Sequence, residues 1–407
     1  MKWKTIISIL IILIISLSGC INGTVILADD SEATSEGIAK VVNANNQFTF
    51  DLYSNIKDNE SNVFFSPYSI SVALAMTYEG ARGQTAEEIQ SVFYFPEDDI
   101  IRRSSFARIY NNINKIGKEF ELHTANALWA QEDYPFLEEY TSLIDQYYVG
   151  KITNLDFVAD TENSRMIINR WVEEQTKNKI KDLIPQGAIN SITRLVLTNA
   201  IYFKGIWVKQ FDRRDTKQQD FKVSPDKTIK VPMMSLTEEE FNYTETEDLQ
   251  VLEMPYKGEE LSMLILLPKN DLESIEDFLN AEKLSELRNN LREVEIDVYI
   301  PKFTFETKYF LPDTLSEMGM PTAFTWPDAD FSGMDGTKYL FIQNVIHQAF
   351  VEVNEEGTEA AAATAVIVGF GAAMNKVFRA DHPFIFIIQE RETGNILFLG
   401  RVTDPTG

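Results

Sequence analysis

The chain has 407 residues, 44% hydrophobic and 12% aromatic, enough apolar side chain for a large buried core. Its formal net charge is −25 with the acids spread along the chain, so phosphate backbones are repelled and nucleic acid is excluded as a natural partner. Acidic runs such as Glu238–Glu240 read as solvated faces.

Lys2 and Lys4 precede an apolar run from Ile6 to Leu17, too short for an ordinary membrane-spanning helix and typical of an export signal. Leu17-Ser18-Gly19-Cys20 resembles the lipobox of prokaryotic lipoproteins. That resemblance implies removal of residues 1–19 and lipidation of Cys20, and so a protein anchored on the extracytoplasmic face of a prokaryotic membrane. An ordinary signal peptide that happens to contain a cysteine is the plainer alternative. Cys20 is the only cysteine, so no intramolecular disulfide can form. Residues 21–42 read as a flexible tether, and loss of Lys2 and Lys4 takes the net charge to −27. The anchor then works without a polybasic patch.

From residue 43 to 407 no Pro/Gly/Ser-rich break or repeat divides the chain, which predicts a single domain. Apolar residues recur at helical spacing over 43–57, 67–80, 84–93, 99–117, 136–146 and 161–181. Strand-like runs follow at Leu195–Phe203, Leu249–Met254, Leu261–Leu267, Val294–Ile300, Val345–Val353, Phe384–Ile388 and Ile396–Val402. Several are apolar at consecutive positions, as in strands covered on both faces. Helices first and strands later predict an α+β fold.

The parts of an enzyme are missing. There are three histidines, His123, His347 and His382, and no G-x-S-x-G, H-E-x-x-H, metal-ligand cluster or phosphate-binding glycine loop. Ser54–Lys57 and Ser224–Lys227 fit S-x-x-K without its companion motifs. No metal or cofactor is expected.

The segment Glu355-Glu356-Gly357-Thr358-Glu359-Ala360-Ala361-Ala362-Ala363-Thr364 follows the strand candidate Val345–Val353 directly. Four alanines would ordinarily mark a surface helix. An apolar stretch, Val366–Met374, comes next, and such a run in an exposed loop invites aggregation. Small residues make sense if they must slide between existing strands. In a strand Thr358, Ala360, Ala362 and Thr364 share one face, and their small side chains enter a packed sheet without overpacking it.

Gly357–Ala362 resembles the hinge of the serpin reactive-centre loop. Asn62–Ser71 with Ala81–Ala86, Leu197–Gly205 with Trp207, Ile300–Phe303, Asp381–Phe384 and Phe398–Val402 resemble further serpin motifs in the family's order, across residues 41 to 407. The resemblance implies about nine helices and three sheets, with a central mixed sheet and an exposed reactive-centre loop. It implies a suicide-substrate inhibitor of serine or, alternatively, cysteine endopeptidases, monomeric until it forms a covalent complex with its target. A non-inhibitory serpin acting as a binding or chaperone-like protein is the competing reading, and a surface hydrolase lacks its motifs.

By motif position Ser66, Ser69, Asn199 and His347 resemble the family's shutter, and Trp207, Lys302 and Glu355 its breach, with Lys302 and Glu355 an ion pair. Glu355–Ala363 is the hinge. Family spacing from Gly357 implies a reactive bond at Gly371–Ala372, and spacing from Pro383 implies Ala372–Ala373; Phe370–Gly371 and Met374–Asn375 are alternatives. No Lys or Arg lies between Thr358 and Asn375, which disfavours trypsin-like targets and suits elastase-like, subtilisin-like or chymotrypsin-like ones. Arg102, Arg103, Arg108 and Lys115 share one helix candidate, but the acidic whole gives little support to a polyanion site.

Overall fold

The computed structural model describes residues 27–58, 60–114, 119–132, 134–358 and 376–407. Cys20, the hinge residues Glu359–Ala363 and all reactive-bond candidates lie outside them.

Six helices come early: α1 (Ser35–Ile56), α2 (Pro67–Tyr78), α3 (Gly83–Phe93), α4 (Asp99–Ile113), α5 (Glu138–Tyr148) and α6 (Thr161–Gln175). Their ends have local causes. Thr34 caps α1 by accepting the Gly37 N–H, Ser66 caps α2 with Pro67 in its first turn, and Asp98 caps α4 through two amides. The predicted helix 161–181 stops at Gln175, because Lys177 and Asn178 take positive φ. Four shorter helices follow, α7 (Glu273–Glu276), α8 (Ala281–Asn289), α9 (Pro312–Glu317) and α10 (Ser332–Asp335).

Strands β1 (Val63–Phe65), β2 (Phe120–Gln131), β3 (Lys151–Leu155) and β4 (Leu195–Ile206) alternate with the early helices. Then come β5 (Lys217–Ser224), β6 (Lys227–Glu245), β7 (Leu249–Pro255), β8 (Leu261–Pro268), β9 (Arg292–Pro301) and β10 (Phe303–Phe310). The last are β11 (Asn344–Asn354), β12 (Gly357–Thr358), β13 (Lys376–Arg379), β14 (Phe384–Glu390) and β15 (Ile396–Val402).

The central sheet is mixed. Its body runs β10-β11-β4-β2-β3, with β11 parallel to β4, β2 parallel to β3, and the other pairs antiparallel. The remaining strands form one network of nine rather than two separate sheets. Long β6 joins them, pairing with β5 at its start and β7 at its end, with an irregularity between Leu236 and Glu239 where Glu238 has φ 60°.

Both faces of the central sheet are covered, which is why β4 reads as a continuous apolar run. Val196 and Ala200 face a cluster under α6 with Trp129, Ile168, Val172 and Ile346. Leu195, Leu197, Ile201 and Phe203 face the main core with α1, α2 and the nine-stranded network. β2 is covered in the same way, so its sequence lacks the alternation that would have marked it as a strand.

Of the expected tether, residues 21–42, the stretch from residue 27 belongs to the folded body. α1 begins at Ser35, and Ala28 is buried with its N–H and C=O bonded to the Asn111 amide. The arginines of α4 are all held in ion pairs: Arg102 and Arg103 with Glu79 and Asp99, and Arg108 with Asp30.

Candidate functional site

β4 and β11 pair from Asn344↔Val196 to Phe350↔Tyr202 and then part. The chain turns after Asn354, and Gly357 and Thr358 enter the opening between them. Gly357 pairs with Asn354 and Ile206, and Thr358 with Val353 and Gly205, both antiparallel. Two residues of an additional strand therefore already sit in the sheet.

Only glycine fits the first position. A Cβ on Gly357 would lie 2.0 Å from the Gly205 carbonyl oxygen and 2.8 Å from the Ile206 Cα, backbone atoms that cannot rotate away. Thr358 is buried, with its hydroxyl 2.8 Å from the Tyr256 hydroxyl on the main-core side. Tyr256 stacks on Trp207 at 4.5 Å between ring centroids, and the Trp207 indole N–H donates to the Asn354 carbonyl.

A polar collar holds the turn before the hinge. Phe211 N–H donates to Glu355 O and Trp207 N–H to Glu356 O. Lys302 Nζ lies 2.8 Å from the buried Glu355 carboxylate, and the Thr216 hydroxyl donates to its other oxygen. Burial pushes the Glu355 carboxyl up, but the Lys302 ammonium and the hydrogen bonds outweigh it and hold it below the ordinary range. Arg213 pairs with Glu356 at 2.6 Å.

Further down, side chains from four elements, with a backbone carbonyl from a fifth, converge on the β4–β11 seam. His347 on β11 and Asn199 on β4 are register partners, and the His347 Nδ1–H donates to Asn199 Oδ1. The opposite nitrogen, Nε2, accepts the Ser66 N–H at 3.0 Å, which fixes the neutral tautomer with its proton on Nδ1. The Asn199 amide donates to Ser69 Oγ at 2.6 Å and to Asn126 Oδ1 at 2.7 Å, while Ser66 Oγ donates to Leu397 O on β15. Burial presses the His347 imidazole down to about 3.

The structure thus brings Ser66, Ser69, Asn199 and His347 into one cluster, and Trp207, Lys302 and Glu355 into another beside Gly357 and Thr358. Sequence reasoning missed Asn126, Tyr256, Thr216, Arg213 and Gln210, whose amide donates to the Glu356 carbonyl. Asn126 lies in a strand that the sequence did not reveal, and Tyr256 reads as one more core aromatic. Only the basic pair Arg213-Arg214, conspicuous in an acidic chain, gave a signal. Among the described residues no group of His, Cys, Asp or Glu is placed to hold a metal.

The site is thus a central sheet whose two parallel inner strands diverge at one end around a two-residue strand, above a buried polar cluster. Residues 43–405 match the sequence family described as serpin (serine protease inhibitor). An uncharacterized serpin-like protein of Thermococcus kodakarensis is 47% identical, over 92% of this chain and 88% of its own. The leukocyte elastase inhibitor of Xenopus tropicalis is 42% identical, over 88% of this chain and 97% of its own. The crystal structure of uncleaved ovalbumin superposes with a TM-score of 0.83 at 34% identity, covering 90% of this chain and 100% of that one. The chain belongs to the serpin family, a family of protease inhibitors that are generally not enzymes.

Two tests follow from the geometry. Gly357→Ala is expected to push the hinge out of the sheet, lowering the stability of the uncleaved protein by about 1–3 kcal/mol and red-shifting tryptophan emission as Trp207 loses its partners. An unchanged melting curve and spectrum would contradict the fit described for Gly357.

The second concerns pH. Between about pH 6.5 and 3 the unfolded His347 binds a proton that the folded one does not. Its contribution to stability is therefore complete above pH 6.5 and lost as the pH falls, by up to about 1.4 kcal/mol per unit. His382 titrates in the opposite sense: burial lowers it, but its bonds to Asp381 and the Pro268 carbonyl outweigh this and raise it. From pH 6.5 to 5 the melting temperature of the native protein should fall, and that of His347→Gln should fall less. Parallel slopes would remove His347 as the cause.

Proposed function

We propose that this serpin is a suicide-substrate inhibitor of serine endopeptidases, held outside the cell by a lipid on Cys20. The observation that carries the reading is the position of Gly357 and Thr358, which are the first two residues of an inserted strand. Thr358 faces the main core, so in a strand continued by insertion Ala360, Ala362 and Thr364 would face the same side, and none of them is bulky or charged.

In this mechanism the target's serine hydroxyl attacks the scissile carbonyl of the loop. The peptide C–N bond breaks, the new amine stays on the C-terminal piece, and the N-terminal piece is left ester-linked to the protease. The freed segment then continues β12 between β4 and β11. Seven parallel register pairs, Asn344–Phe350 with Val196–Tyr202, are exchanged for two antiparallel ladders. Serpin loop insertion is a known instance of strand addition that releases stored strain, and here it would carry the bound protease with it.

The absence of Lys and Arg between Thr358 and Asn375 supports elastase-like, subtilisin-like or chymotrypsin-like targets, and the likeness to a leukocyte elastase inhibitor favours the first. The body acts as a monomer without enzymatic activity of its own.

Incubation with a panel of proteases should give a denaturant-resistant one-to-one complex and a C-terminal peptide whose mass places the cut between Phe370 and Ala373. Cleavage with neither a complex nor a gain in thermal stability would overturn inhibition. Thr358→Arg buries an unpaired charge beside Tyr256 and should raise the inhibitor consumed per trapped protease at least tenfold. Cys20→Ser should release the protein from the membrane fraction with inhibition intact; continued membrane retention would sink the anchor.

A further inference from the structure

The chain between Cys20 and the folded body is shorter than its sequence suggests. Ala28 is pinned by both amide bonds to Asn111, at 2.9 Å each. The Asp29 N–H donates to the Gln146 carbonyl on α5, whose side chain returns a bond of 2.8 Å to the Asp29 carboxylate. Arg108 on α4 pairs with Asp30. Three residues of α4 and α5, Arg108, Asn111 and Gln146, thus fasten Ala28, Asp29 and Asp30 before α1 to one edge of the molecule. α5 packs on β3, the strand at one margin of the central sheet, and β10 forms the other margin.

We infer that this α4–α5 edge is the face turned toward the bilayer, an inference that rests on the anchor proposed above. Seven residues, 21–27, separate Cys20 from Ala28. Fully extended they reach about 24 Å, and as a flexible coil about 15 Å. A compact body of this length is roughly 55 Å across. Turning the β10 edge to the membrane would lift Ala28 by the four strand spacings from β10 to β3 and the thickness of α5, about 29 Å in all, beyond the reach of the leash. A tether of residues 21–42 would extend to about 75 Å and allow any orientation. The clamp makes the difference. The exposed acids of α4, α5 and the α4 cap, Asp98, Asp99, Glu138, Glu139 and Asp145, outnumber Arg103 and Arg108 on the same helices, so they offer no basic patch for anionic lipid.

The single cysteine makes a direct test practical. The chain from Cys20 to Gly407 is coupled through the Cys20 thiol to a maleimide lipid in phosphatidylcholine vesicles carrying a headgroup acceptor dye. A fluorescent amino acid is placed in turn at two exposed positions, Ser142 on α5 and Glu306 on β10. Energy transfer should be at least twofold stronger from position 142. A twenty-residue Gly/Ser linker inserted after Cys20, which leaves the body untouched, should bring the two positions together, as should Asn111→Ala with Arg108→Ala. Equal transfer in the parent chain, or a contrast that survives the linker, overturns the orientation. Because the attachment is chemical, a Cys20 found unlipidated in cells would remove the anchor without affecting this result.

Discussion

The structure depends on the parallel seam between β4 and β11. Parallel pairing is slightly weaker per residue than antiparallel pairing, and the seam lies in the middle of a sheet covered on both faces. Hydrophobic cover discourages its opening, while the ladder itself offers less than an antiparallel alternative would. Gly357 and Thr358 occupy its upper end as the start of that alternative. The proposed mechanism would exchange the one pairing for the other along these same strands.

The two polar groups along the seam differ in kind, and the difference suits their positions. Glu355 and Lys302 form an ion pair with Lys302 about a third exposed, where such pairs contribute little and can be remade when the chain shifts. The deeper group is buried and uncharged. Because His347 is neutral, parting the strands moves no charge through the core, which would cost several kcal/mol. Its serine, asparagine and histidine groups are donors and acceptors that an arriving backbone can satisfy.

Much of this was legible in the sequence, for physical reasons. The α+β order, most helices and the strands β4, β7, β8, β9, β11, β14 and β15 follow from apolar spacing, and the hinge was marked by its small side chains. β2, β5, β6 and β10 went unread because they lie flat on both faces or carry many charges, so neither period 2 nor a continuous apolar run marks them. Asn126 was hidden for the same reason. The early start of the folded body was missed because it rests on polar bonds from Ala28, Asp29 and Asp30 rather than on a hydrophobic pattern.

The distribution of hydrogen bonds defines a plane along which the molecule can part. Ser66 N–H to His347 and Ser66 Oγ to Leu397 tie β11, α2 and β15 together, and Phe64 packs on Phe305 and Phe398 within the same block. On the other side Asn199 to Asn126 and Trp129 to Thr198 tie β4 to β2, beneath α6. Three side-chain bonds of the buried cluster cross between the blocks: His347 to Asn199, Asn199 to Ser69, and Ser69 to Asn126. At about 0.5–1.5 kcal/mol net each, they amount to only a few kcal/mol. A strand that gains a ladder on both of its edges recovers that within a few residues. In the proposed mechanism this makes the seam a place where a replacing strand can enter at little cost in side-chain bonds.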